Sequence, residues 1–158
     1  MKIKTTPLTE DDINEALALV HNVFKEFVGK DYSETGKIFF KKAVDNEFIR
    51  NLPNRNGFSL ITKDNGRITG ILSIRDFNHI ALFFVHKEYQ GKGIGRNLFE
   101  EAKRIIIKNG KANEMQVHSS PYAVPIYQAL GFIVAEAEKE ENGMNYMPMK
   151  HLIKRNGI

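Results

Sequence analysis

The stretch "VHKEYQGKGIGRNLFEEAKRIIIKNG", Val85 to Gly110, sets three glycines, Gly91, Gly93 and Gly95, between strand residues and a segment rich in good helix formers. Glycine costs about 1 kcal/mol relative to alanine inside a regular element, so three so close together need a reason. A strand that turns through glycines into a helix presents unpaired main-chain N–H groups at the positive end of the helix dipole. Bare backbone there lets an anion approach closely, and Lys92 and Arg96 add charge at the rim. The pattern points to a phosphate-bearing ligand rather than to a tight turn, which one glycine would satisfy.

Two better-known phosphate loops do not fit. The nucleoside-triphosphate loop requires Gly-Lys-Ser/Thr, but Gly95 is followed by Arg96 and Asn97. In the dinucleotide fingerprint Gly-x-Gly-x-x-Gly the last glycine falls on Arg96 when counted from Gly91 and on Leu98 when counted from Gly93.

Outward from the glycines, "HIALFFVH" is almost wholly apolar, as a strand covered on both faces must be. The segment after the glycines spaces Leu98, Ala102, Ile105 and Ile106 along one helical face and stops at Gly110. "KIKTTP", "FSLITK" and "RITGILSIRD" read as further strands, the last two joined at Asp64, Asn65 and Gly66. "TEDDINEALALVHNVFKEF" reads as a helix with Thr9 and Asp12 in a capping box and Ile13, Leu17, Val20, Phe24 and Phe27 on its buried face. His21 belongs to the packing or surface of that helix.

"YSETGKIFFKKAVDNEFIR" reads as one helix capped near Ser33, with Phe39, Phe40, Ala43, Val44 and Phe48 on a broad apolar face that serves the core or lines a pocket. "NEMQVH" is a strand, "PYAVPIYQAL" a short helix, and "FIVAEAEKEENGMNYMPMKHL" a hairpin closed at Asn142 and Gly143. Glu136 and Glu138 on that hairpin are expected in solvent.

Composition bounds the rest. The 158 residues, 42% of them hydrophobic, suit a single domain over 1–158. There are no cysteines, so disulfide and thiolate chemistry are excluded, and no metal site is expected. The polar start "MKIKTTPLTEDD" lacks the apolar run of a signal peptide, and no stretch reaches membrane-spanning length. The chain is expected in the cytoplasm, away from membranes. Its net charge of +4 is spread along the sequence and mixed with acids, which argues against a polynucleotide partner.

The segment Gln90-Gly-Lys-Gly93-Ile-Gly95 after a strand and before an amphipathic helix resembles the Gln-x-x-Gly-x-Gly signature of the GNAT superfamily, the Gcn5-related N-acetyltransferases. "HSSPYAVPIYQALGF" adds Ala123, Tyr127, Gly131 and Phe132 at that family's spacing, and "YMPMKHL" is similar too. The family's frequent proline is Lys87 here, and its frequent asparagine ahead of the short helix is Ser120.

The resemblance implies an α/β (α+β) fold with a central twisted mixed sheet of about six to seven strands and about four flanking helices. It implies that acetyl-CoA lies where "HIALFFVH" and "NEMQVH" splay apart. The pyrophosphate would rest on main-chain N–H groups of Gln90, Gly91, Lys92, Gly93, Ile94, Gly95 and Arg96. The pantetheine would pair with Phe83, Phe84 and Val85 like an added strand, with an oxyanion N–H near Phe84 and Ser120 reaching a ligand amide. Tyr127 would protonate the departing thiolate.

A primary amine, small molecule or peptide, would be the acceptor, and the same fold without chemistry would be a CoA-binding sensor. A homodimer is left open. Amines arrive protonated, so a base is needed. His79, at the start of the central strand, is expected to titrate around pH 6 to 8 and assist through water, with His118 on the partner strand as the other candidate.

Overall fold

In the computed structural model, which describes residues 3–153, the apolar segment at the centre of the sequence is the middle of a mixed sheet. Among the described residues there are eight strands: β1 Lys4–Pro7, β2 Phe58–Asp64, β3 Arg67–Arg75, β4 His79–Val85, β5 Glu114–Ser119, β6 Ile133–Val134, β7 Lys139–Glu141 and β8 Met144–Leu152. Five α-helices accompany them: α1 Ile13–Val23, α2 Glu34–Ala43, α3 Asn46–Arg50, α4 Ile94–Asn109 and α5 Val124–Ala129. The sheet runs β1-β2-β3-β4-β5-β8-β6, with β7 also paired to β8. All pairings are antiparallel except β4 with β5. The expected first strand started at Lys2, which lies outside the described residues.

The mixed sheet flanked by helices is as expected, with more elements than about six to seven strands and four helices. Two local breaks account for the excess. The long helix predicted after Ser33 is interrupted at Val44, whose φ of −99° and ψ of 85° are not helical, and Asp45 recaps the chain by accepting from the Phe48 N–H at 2.9 Å. The last hairpin arm is interrupted where four residues, Ala135 to Glu138, face two, Met147 and Pro148, and it divides into β6 and β7. Glu136 and Glu138 are exposed.

Turn chemistry fixed the hairpins. Asn65 and Gly66 (φ 52° and 79°), like Asn142 and Gly143 (φ 55° and 79°), hold the two left-handed residues that match strand twist. At the first helix the Asp12 carboxylate accepts from both the Thr9 N–H and the Thr9 hydroxyl, at 3.0 and 2.8 Å. After Val23 this helix widens over Phe24–Val28, so the chain gains a residue per turn where it borders the cavity described below. His21 donates from Nε2 to the Val44 carbonyl (2.8 Å) and packs its ring edge-on to Phe40, a packing role.

The sheet is covered on both faces. Leu72, Ile80, Leu98, Phe99, Ala102 and Met115 form one core with α4, while Ile13, Leu17, Val20, Ile61, Ile71 and Leu82 form the other with α1. Ile80 and Leu82 should share a face, since strand side chains alternate. They do not, because Ala81 is a bulge: Ser73 opposes Leu82 and Ile74 opposes Ile80, leaving Ala81 unpaired. Beyond the bulge Phe83 joins the α4 side and Phe84 the α1 side. No helix among the described residues is long and apolar enough to cross a membrane.

Candidate active site

The bulge is also where the sheet opens. β4 and β5 pair only at His79 with Gln116 and Ile80 with Val117, and past that point they diverge. Between them lies a cavity of about 520 Å³. It is bounded by β4 from Ile80 to Val85, by the turn and helix start from Tyr89 to Arg96, by Ser120 to Tyr127, and on its far side by the α1–α2 region and Met144.

The β4 edge facing this gap offers unpaired main chain. His86 donates to the Thr69 carbonyl at 2.8 Å, so antiparallel alternation turns Phe84 toward β3 and leaves the N–H and C=O of Phe83 and Val85 facing the cavity. The available edge is therefore the N–H and C=O of Phe83 and the N–H of Val85, since the Val85 carbonyl already has a side-chain partner. Phe84 contributes its side chain instead. Gln90 anchors the glycine turn to this edge, its amide donating to the Val85 carbonyl at 3.0 Å.

The three glycines separate into two kinds. Gly91 and Gly93 have φ of 76° and 84°, so the turn itself requires them. Gly95 is helical, and a Cβ there would meet only Phe83 and Val85 side-chain atoms at 3.5 to 3.7 Å, an ordinary contact. Neither a close contact among the described residues nor a positive φ demands glycine at that position. It borders the cavity, together with Gly91, Gly93 and Arg96. The first-turn N–H groups of Ile94, Gly95 and Arg96 have no carbonyl four residues earlier within the helix to receive them. Nearby cations are partly committed: Arg96 donates to the Ala129 carbonyl at 3.2 Å, Lys92 sits 5.4 Å above the Tyr89 ring, and Lys87 pairs with Glu26 at 3.2 Å.

Tyr127 is 6% exposed and borders the cavity on α5, held by its N–H to the Ala123 carbonyl and by Phe83 and Phe132 rings 6.0 and 5.3 Å away. Burial, with Tyr32 adding, pushes its hydroxyl above the ordinary tyrosine range, so it stays protonated at neutral pH. Ser120 is buried at the cavity wall and its hydroxyl oxygen accepts from the Ala123 N–H at 3.2 Å, capping the turn ahead of α5.

The two histidines are not equivalent. His118 borders the cavity; His79 does not, and stands behind it with the rings edge-on at 4.5 Å. His79 is 7% exposed, and burial, then Arg75 and His118, push its pKa down to about 3. The expectation that it titrates around pH 6 to 8 is corrected, because a buried imidazole beside a guanidinium resists charging. His118 is lowered as well, by partial desolvation and Arg75, and its other face stacks on Tyr146 at 4.5 Å.

Sequence reasoning missed the far wall. Phe24, Tyr32, Tyr122, Ile126 and Met144 come from four separate segments, and only Phe40 carried a signal, the apolar face that could line a pocket. Phe39, placed on that same face from the sequence, is 43% exposed, because it precedes Phe40 by one residue, about 100° around α2, and Phe40 is the one that borders the cavity.

Residues 28–153 match the family described as acetyltransferase (GNAT) domain. The chain belongs to the GNAT acetyltransferase family. It is an acyltransferase by that membership, and its relatives agree. N-alpha-acetyltransferase 30 of Schizosaccharomyces pombe is 29% identical over 118 residues, 68% of this chain and 73% of the relative. Among solved structures, a GCN5-related N-acetyltransferase from Rhodopseudomonas palustris superposes with a TM-score of 0.82 at 20% identity, covering 96% of each chain. The PaiA N-acetyltransferase of Thermoplasma acidophilum, in complex with coenzyme A, gives a TM-score of 0.80 at 18% identity, covering 96% of this chain and 99% of that one.

Proposed function

We propose that this GNAT chain transfers the acetyl group of acetyl-CoA to a primary amine by direct attack in a ternary complex. The observation that carries the proposal is the cavity at the β4–β5 divergence, which joins an open strand edge, a glycine turn at a helix start and a buried protonated tyrosine. The residues present fit the donor: Gly95 leaves room at the helix start that the fold itself does not need. Acetyl-CoA supplies the thioester carbonyl and a thiolate leaving group. Main-chain N–H groups from Gln90 to Arg96 hold the pyrophosphate, with Lys92 and Arg96 at its rim. Phe83 and Val85 align the pantetheine by strand-like pairing, and a main-chain N–H on this edge, beside Phe84, receives the oxyanion.

As the amine nitrogen bonds to the carbonyl carbon and the carbon–sulfur bond breaks, Tyr127 gives its proton to the sulfur. Ser120 turns its hydroxyl hydrogen toward a ligand amide. His118 accepts the amine's proton directly or through water, and His79 positions it from behind. The reaction runs in this chain over 1–158 as one catalytic domain.

Calorimetry with CoA and a thiol-release assay with acetyl-CoA and a panel of amines test the proposal together. CoA binding with amine-dependent thiol release supports it. Binding without release from any amine supports a CoA sensor instead, and absence of binding overturns both.

A further inference from the structure

The cavity also has a largely aromatic wall. It is built from Phe24, Tyr32, Phe40, Phe84, His118 and Met144. Phe24 and Phe40 stack with centroids 3.9 Å apart, with Tyr32 5.6 Å from Phe24 and Phe84 6.3 Å from Phe40. No aspartate or glutamate among the described residues borders the cavity. The acids nearby are engaged or outside it: Glu26 with Lys87, Glu141 with the Tyr146 hydroxyl at 3.0 Å, and Asp31 exposed beside Tyr32. We propose that the acceptor is an α-amino group bearing a large apolar side chain, with no second positive charge beside it.

This inference rests on the acetyltransferase proposal and deepens it in three steps. A second ammonium entering this wall would lose its water and find no carboxylate, which excludes polyamines and multiply charged amino sugars. The stacked rings and Met144 offer apolar surface that a large side chain covers and a hydroxymethyl group does not, so Phe, Leu or Met next to the amine is favoured.

Finally, among the described residues no carboxylate or lysine lines the cavity, and His118 is the one imidazole that does, with its pKa lowered by partial desolvation and Arg75. Such a site works best on an amine already partly neutral. With pKa values near 7.8 for an α-amino group and 10.4 for an alkylamine, the neutral fraction at pH 7.5 is about 260-fold larger for the former, part of which is returned as lower nucleophilicity.

The test is kcat/KM by thiol release at fixed acetyl-CoA for phenylalaninamide, serinamide, 2-phenylethylamine, spermidine and a short peptide amide beginning with Phe. Phenylalaninamide is expected to exceed serinamide by about 10-fold or more, 2-phenylethylamine by about 10-fold and spermidine by on the order of 100-fold. The peptide at or above phenylalaninamide also supports the proposal and assigns the source as a chain terminus; the peptide well below it supports the proposal with a free amino-acid amide as source. Spermidine or serinamide as the best substrate overturns it while leaving acetyl transfer standing, and CoA binding by calorimetry separates that outcome from a failed enzyme. Met144→Glu provides a second arm. It is expected to improve spermidine relative to phenylalaninamide by about 10-fold, and an unchanged ratio overturns the assignment of this wall to the acceptor.

Discussion

Two glycines two residues apart should respond to alanine with opposite signs. At Gly93 the backbone has φ of +84° and nothing lies within 4 Å of the place a Cβ would take, so Gly93→Ala meets no clash but strains the backbone by about 1–2 kcal/mol. At Gly95 the backbone is helical and a methyl group finds ordinary contacts at 3.5 Å or more, so Gly95→Ala should gain up to about 1 kcal/mol of helix propensity. For a chain of this size each kcal/mol moves Tm by about 2–4 °C, so the two variants should fall on either side of the parent.

The ligand reads the same change differently. If the pyrophosphate lies on the first-turn N–H groups, the Gly95 methyl separates it from charge-assisted hydrogen bonds worth about 1.5–3 kcal/mol each. Losing one weakens CoA by roughly 10- to 100-fold. Gly95→Ala should thus be more stable and bind worse, a combination that damage to the fold cannot produce. Thermal unfolding without ligand and titration calorimetry with CoA measure the two effects. A Gly95→Ala protein with raised Tm and unchanged CoA affinity would refute the assignment of this helix start to the phosphates.

Other substitutions test the remaining assignments. Tyr127→Phe should lower kcat by roughly 100-fold or more with little change in the KM for acetyl-CoA, and undiminished turnover would reduce the residue to packing. His79 has a folded pKa of about 3, below an unfolded value near 6.5, so the unfolded chain binds more protons between those limits; stability is fully present above pH 6.5 and is lost as pH falls. Between pH 7 and 5 that loss is about 2 kcal/mol, and His79→Gln should remove it from the difference between urea midpoints at the two pH values; an unaltered difference would assign the acid sensitivity elsewhere. A Cβ at Gly36 would sit 2.2 Å from the Gly143 carbonyl oxygen, so Gly36→Ala should part α2 from the β7–β8 turn, raising the KM for amine several-fold while CoA affinity holds; equal effects on both ligands would count against a local role.

The parts of this molecule legible in the sequence are those decided within a few residues. The Thr9–Asp12 cap, the Asn65–Gly66 and Asn142–Gly143 turns and the stop at Gly110 each depend on local backbone chemistry, and each occurs where the residues say. The proposed donor side of the site is equally local, since Gln90 to Arg96 form one turn and helix start. The helix break at Val44 was also signalled locally, by Asp45 ahead of Asn46 and Glu47, but the apolar period running through it from Phe39 to Phe48 concealed the cap.

The proposed acceptor side was not legible because it has no sequence of its own. Phe24, Tyr32, Phe40, His118 and Met144 meet only after the two cores have formed on opposite faces of the sheet. The Ala81 bulge makes that meeting possible. An even alternation along β4 would keep Leu82 on the Ile80 side and turn Phe84 away from α1, taking it out of the aromatic wall. The same irregularity lies where β5 leaves β4, so one extra residue both aims the aromatic lining and frees the strand edge at Phe83 and Val85. The proposed donor and acceptor sites are therefore coupled through a single strand. A change that removed the bulge would be expected to disable both sites together, whereas changes at Gly95 or Gly36 should affect one and spare the other.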